Sequence, residues 1–180
     1  MPEVWQMTLA RFVGDFPVDD TDARDLDLTF GYEADGYTGG WLPFSMRPVG
    51  GHEGFFFADI GGQPLDIALV QRDDFDGDYT VVGYYCDEQL WLDRGVRGRG
   101  LSAELVLAKA DRLNGPIPAV TYTTAGLEAT RSAHRLAVQR ALRNGCRVPD
   151  AVMADYAYLA GGMQPHGAPL DRHGAPEMAR

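Results

Sequence analysis

The sequence predicts a mixed α/β (α+β) domain, a mostly antiparallel sheet followed by a parallel strand–helix–strand unit. Three observations lead to this fold class. Apolar runs at 54–60, 64–71 and 79–92 follow one another with only turn-forming residues between them, as successive antiparallel strands do. From Leu101 the apolar period changes to that of a helix, with Leu101, Leu105, Val106, Ala108 and Leu113 on one broad face. A further alternating run at 118–124, with Val120 and Tyr122 set against threonines, follows the helix stop Asn114-Gly115-Pro116. Strand, helix and strand at this spacing favour parallel pairing of the two strands.

The remaining elements follow in chain order. Residues 4–13 read as an opening strand of imperfect alternation. The stretch 15–27 holds six aspartates, and 31–54 is rich in Gly, Pro and aromatics, with Trp41, Leu42, Phe44 and Met46 as a short strand. Gly61-Gly62 signals one hairpin and the Asp-Gly within 73–78 another. Asp74, Asp76 and Asp78 have the spacing of a calcium loop, but 79 is not glycine and no glutamate stands at the twelfth position. An exposed turn is therefore expected there, and no metal. A second helix at 129–144 buries Ala133, Leu136, Ala137 and Ala141, sets Arg131, Arg135, Gln139 and Arg143 along its other face as a basic stripe, and ends at Gly145. Residues 150–159 read as a further helix capped by Asp150. From Gly161 the repeated His-Gly-Ala-Pro reads as a flexible tail. One domain is expected over 1–160, divided into 1–78, 79–146 and an appended 147–160, with 161–180 as the tail.

The chain has 180 residues with 26 Asp+Glu against 16 Lys+Arg, a net charge of −10, and 45% hydrophobic residues. This length builds a core without disulfides or a structural metal. No apolar run approaches the ~20 residues that span a bilayer, and the opening Met-Pro-Glu-Val-Trp lacks the basic-then-apolar pattern of a signal peptide. A cytoplasmic location and no membrane partner are expected. Cys86 and Cys146 lie outside any ligand motif and read as reduced thiols. The charge is polarised: residues 1–93 carry four Arg and nineteen Asp+Glu, whereas 94–180 carry twelve basic and seven acidic residues. Such a chain can hold an anion at one end and attract a cation at the other.

The chemistry concentrates in Leu90-Trp91-Leu92-Asp93-Arg94-Gly95-Val96-Arg97-Gly98-Arg99-Gly100-Leu101-Ser102, where a strand runs through a Gly/Arg loop directly into a helix. The helix N-terminus offers N–H groups without helical partners, and glycines let a ligand approach the backbone, so the segment reads as a phosphate cradle. Arg94, Arg97 and Arg99 reinforce it. It lacks the Gly-Lys-Ser/Thr ending of a P-loop and the Gly-x-Gly-x-x-Gly spacing of a dinucleotide fold. A nucleic-acid partner is disfavoured by the overall acidity and by the lack of aromatics on the loop.

This segment resembles motif A of the GNAT acyltransferase superfamily, an apolar strand end and turn followed by Arg/Gln-x-x-Gly-x-Gly/Ala, here Arg97-Gly98-Arg99-Gly100-Leu101-Ser102. The likeness covers 79–146. In the second helix Ala137 and Gly145 fall on the family pattern, while His134, Ala141 and Cys146 stand where it has Asn, Tyr and Phe. The resemblance implies a GNAT-like fold with acetyl-CoA or another acyl-CoA as co-substrate. The backbone of Arg97, Gly98, Arg99, Gly100, Leu101 and Ser102 would hold its pyrophosphate, and Leu90 and Leu92 would pair with the pantetheine arm like an added strand. It also implies N-acyl transfer by direct attack of a neutral amine on the thioester, the acidic half before the cofactor loop supplying part of the acceptor side and favouring a cationic small-molecule or protein amine. The family also has two helices between its first and second strands, to which no stretch of this sequence is assigned.

The missing tyrosine leaves the proton transfers to be assigned. Glu88 is the first candidate base, since on a regular strand it shares the face of Leu90 and Leu92, and Asp87 on the opposite face is the second. Tyr122 and His134 are candidate acids, with Tyr84 and Tyr85 of similar standing. For each the competing reading is structural: a solvated strand carboxylate, a sheet tyrosine, a helix-surface histidine. Two other classes of function compete with this one. One is a GNAT-like enzyme of phage or mobile elements that modifies nucleic acid or nucleotides, supported by Arg131, Arg135 and Arg143. The other is a non-catalytic interaction module, supported by the absent tyrosine. A homodimer is left open.

Overall fold

The computed structural model describes residues 2–21, 46–59, 66–73, 75, 77–86, 88–118 and 121–160. Among them β1 (Met46–Pro48), β2 (Phe55–Asp59), β3 (Ile67–Arg72), β4 (Tyr79–Cys86) and β5 (Gln89–Leu92) form one antiparallel sheet in sequence order. The two runs expected at 54–60 and 64–71 supply β2 and β3. The run expected as one strand at 79–92 is two, folded back at 87–88 so that Cys86 faces Gln89 and Tyr85 faces Leu90. The polar Asp87-Glu88 pair interrupts the apolar run, and a two-residue loop is the shortest hairpin link. At the preceding turn, between β3 and β4, Asp73 accepts from the backbone N–H of Phe75, and Gly77 takes φ +77.

The helices are α1 (Leu9–Val13), α2 (Leu101–Leu113), α3 (Thr124–Arg143), α4 (Asp150–Ala154) and α5 (Ala157–Ala160). Alternation along the strands sends Phe55, Phe57, Ile67, Leu69 and Leu92 to one sheet face, where they pack on Leu101, Leu105 and Ala108 of α2. The next side of α2, through Val106 and Ala110, meets Ala129, Ala133 and Ala137 of α3 together with Phe12 and Tyr85. Alanines on α3 let the two helices lie close. Val138 and Ala141 carry α3 onto Val148, Val152 and Tyr156.

Three expectations are corrected. Residues 4–13 are not a strand but a 3₁₀ turn, Val4–Gln6, followed by α1. Thr8 caps α1 by accepting from the Arg11 N–H at 3.3 Å, and Val4, Met7 and Phe12 enter the core at helical rather than alternating spacing. Residues 118–124 form no strand of the sheet among the described residues. Tyr122 makes a single parallel bridge to Val18, flanked by Tyr122 N–H to Pro17 O at 2.9 Å and Asp19 N–H to Tyr122 O at 2.8 Å. Pro116 and Pro118 remove ladder donors, and the helix expected at 129 starts at Thr124. There Thr123 accepts from Gly126 N–H at 3.0 Å, and the Asp20 carboxylate accepts from both Thr124 N–H and Oγ1. Residues 150–159 are two short helices, with Pro149 rather than Asp150 at the cap position. The Asp155 carboxylate at the break accepts from Leu9 N–H at 2.8 Å.

One cluster ties α2 to the sheet, and one close approach fits β4 against β5. Lys109 of α2 buries its ammonium 2.9 Å from Asp66 and 5.5 Å from the centre of the Tyr85 ring, while Arg112 bonds the Asp66 carbonyl and the Asp59 carboxylate. Gly83 is required by close approach: a β-carbon there would stand 2.7 Å from Leu92 Cδ1 and 3.0 Å from Trp91 O. Gly83→Ala is therefore expected to cost about 1–3 kcal/mol by overpacking, read as a lower urea midpoint at unchanged m-value. No helix among the described residues is long and apolar enough to cross a membrane.

Candidate functional site

The outer edge of β5 can be read from its register. Asp93 N–H bonds Val82 O at 2.8 Å, and the pairs Tyr84–Trp91 and Cys86–Gln89 continue that ladder. Antiparallel strands alternate their bonding sides, so the peptide groups of Leu90 and Leu92 point away from β4. Since β5 ends the strand order among the described residues, those groups line the sheet edge. The outward carbonyl of Leu92 accepts from Arg97 Nε at 2.8 Å, which ties the loop back onto the strand end. The N–H of Leu92 and both polar groups of Leu90 complete the edge.

The edge runs directly into the loop. Asp93 accepts from Gly95 N–H at 2.7 Å, closing a 3₁₀ turn, Arg94–Val96, whose Val96 plugs the core. Gly98 and Gly100 then take φ +77 and +83, the left-handed region that side-chain-bearing residues rarely adopt. Gly100 is the N-cap of α2, and its carbonyl accepts from Ala103 and Glu104. It brings no side chain to the first-turn amides, and a β-carbon on Gly98 would meet nothing within 4 Å. The result is an open helix end suited to an anion. The backbone of Leu90 and Leu92 on the edge strand thus leads through Arg97, Gly98, Arg99 and Gly100 to Leu101 and Ser102 in the first turn of α2, with the side chains of Leu92 and Leu101 turned into the core.

A third wall comes from the turn at 49–54 and from α3. Arg99 lies over the Phe55 ring at 5.9 Å, and His52 Cε1 would be 4.0 Å from a β-carbon on Gly100. His52 Nε2 is 3.7 Å from Glu104 Oε1. Glu104, in the first turn of α2, is buried and gripped by both guanidinium nitrogens of Arg140 at 2.9 and 2.5 Å. His52, Glu104 and Arg140 were not singled out by sequence. The available signal was a carboxylate on the apolar face of an amphipathic helix, which burial requires to be paired.

The proton-transfer candidates are scattered. Glu88 is exposed in the β4–β5 turn rather than on a strand face, and Asp87 lies outside the described residues. Tyr122 is buried and donates its hydroxyl proton to Val13 O at 3.0 Å, while burial raises its pKa. His134 is not on the helix surface but fully buried, with Nε2 2.8 Å from Met7 O and Nδ1 2.8 Å from the Tyr156 hydroxyl. A carbonyl only accepts, so Nε2 carries the proton and Nδ1 accepts from Tyr156. Both nitrogens are thereby engaged within the core. Burial lowers the His134 pKa against the opposing pull of Met7 O and Asp155.

Tyr85 has a different environment. It lies across from Leu90, is buried between β4 and α2, and no hydrogen bond engages its hydroxyl among the described residues. Burial, with smaller contributions from Tyr122 and Glu88, pushes its pKa far above the ordinary tyrosine range. The basic stripe is partly neutralised, Arg131 pairing with Glu128 at 2.9 Å. No cluster of three His, Cys, Asp or Glu suited to a metal occurs among the described residues. No protein-family model, curated protein or solved structure matches this chain.

Proposed function

We propose that the protein is an acyl-CoA-dependent N-acyltransferase of GNAT-like architecture. The observation that carries the reading is the continuity of the outward-facing Leu90–Leu92 edge with the glycine loop and the open N-terminus of α2. An extended, amide-bearing arm that ends in a diphosphate is the ligand such a surface suits: the arm adds to the sheet edge as a strand would, and the diphosphate meets the helix amides. In this reading the parallel bridge of Tyr122 to Val18 stands in for the family's parallel strand. Residues 60–66 between β2 and β3 are too few for the two helices that the family places between its first and second strands.

The reaction forms a nitrogen–carbon bond and breaks a carbon–sulfur bond, while one proton leaves the amine and one reaches sulfur. The edge N–H of Leu92 is the donor to the carbonyl oxygen as charge develops on it. The exposed Glu88 carboxylate takes the amine proton. The proton that reaches the leaving sulfur comes from solvent, because burial makes the Tyr85 hydroxyl a poorer acid than the thiol that forms. The acidic 1–93 half favours a cationic amine as acceptor.

Calorimetric titration of acetyl-CoA into the protein tests the reading. Binding within the roughly 1 µM–1 mM range usual for enzyme substrates is expected. Absence of binding at about 1 mM, the upper end of that range, rejects the acyltransferase assignment.

A further inference from the structure

We infer that Arg140 is a positioning residue of the acyl-CoA site, acting through Glu104 to cancel a negative charge that would otherwise oppose the ligand. The inference rests on the acyl-CoA reading of the cradle. Glu104 sits in the first turn of α2, and its N–H bonds the carbonyl of Gly100 at 3.3 Å. A carboxylate there favours the helix dipole but repels any anion brought to the same amides. Its side chain is only 6% exposed, so water screens it poorly. Arg140 reaches across from α3 and answers it with a two-pronged contact, the strongest geometry for this pair. The imidazole of His52 at 3.7 Å is the other basic group beside the carboxylate. With the pair intact, the cradle presents the helix end and the loop arginines. With Arg140 removed, it presents a buried negative charge just behind Gly100.

A charge role and a clamp role predict opposite signs, so a double-mutant cycle separates them. Acetyl-CoA affinity is measured by calorimetry for the unmodified protein, R140Q, E104Q, the E104Q/R140Q double variant and R140K, each first shown by urea unfolding to be folded. R140Q is expected to bind roughly tenfold or more weakly. E104Q is expected to bind at least as tightly as the parent, the double variant to recover to within about threefold of it, and R140K to stay close to it. Equal losses in R140Q and E104Q with no recovery in the double variant would mean a structural clamp and overturn the inference, as would no change in any variant. Inorganic pyrophosphate serves as a second probe of the same proteins. If pyrophosphate binds with the expected pattern while acetyl-CoA does not, the charge role stands and the acyl-CoA reading falls. If neither probe binds the parent, both fall.

Discussion

His134→Ala is expected to lose about 3–5 kcal/mol of stability, the range for emptying a well-packed buried site, enough to leave a marginal domain largely unfolded. The substitution removes a fully buried ring that touches Phe12 and stacks on Tyr156, and it strands two polar groups, the Met7 carbonyl and the Tyr156 hydroxyl. It would also disconnect three parts of the chain, because this one side chain joins α3 to the N-terminal segment and to the α4–α5 region. Urea unfolding measures the loss, and a change within error of zero would mean that the two bonds do not hold these segments.

The same residue gives stability a pH dependence with a definite sign. Burial depresses the His134 pKa below its ordinary 6.5 in the folded chain, so the unfolded chain takes up the proton more readily. Its contribution is complete above about pH 6.5 and is withdrawn as the pH falls from there towards the folded-state value. Urea midpoints on either side of that pH should therefore differ more in the parent than in His134→Gln. Equal pH dependence in the two proteins would show that His134 is not the group responsible.

Gly100→Val is expected to weaken acetyl-CoA binding by more than about 100-fold while costing about 1–2 kcal/mol in stability, the usual strain of a side-chain-bearing residue in the left-handed region. Gly100 holds φ +83 at the start of α2, and a branched side chain there stands over the amides that would meet the diphosphate. Gly145→Ala is the matched control. Gly145 also has positive φ, +73, and nothing lies within 4 Å of its would-be β-carbon, but it terminates α3 away from the loop. It should lose comparable stability and keep its affinity. Survival of affinity in the folded Gly100→Val protein would place the phosphate site elsewhere.

Much of the candidate surface was legible because its signals are short-range. The glycines at 98 and 100, the change of period at Leu101 and the stop at Asn114-Gly115-Pro116 lie within one stretch of chain, and the helix Leu101–Leu113 forms where they predict. The hairpin at 87–88 was also written locally, in two acidic residues between apolar runs. Reading 79–92 as one strand hid it, and with it the pairing of Tyr85 with Leu90. A regular strand would also have put Glu88 on the face of Leu90, whereas the turn leaves it exposed.

By itself the sequence determined the mixed α and β character, the antiparallel runs at 54–60 and 64–71 and the glycine loop opening onto a helix, because turn chemistry, periodicity and helix stops act over a few residues. Tertiary structure alone decided the rest. The partner of Tyr122 is Val18, the carboxylate that receives Thr124 at the start of α3 is Asp20, His134 is held by Met7 and Tyr156, and the charge on Glu104 is cancelled by Arg140. The hydrogen-bonded pairs among these are separated by 22 to 127 positions. A buried donor or charge takes whichever partner the packing of distant elements brings within reach, and no local pattern specifies it.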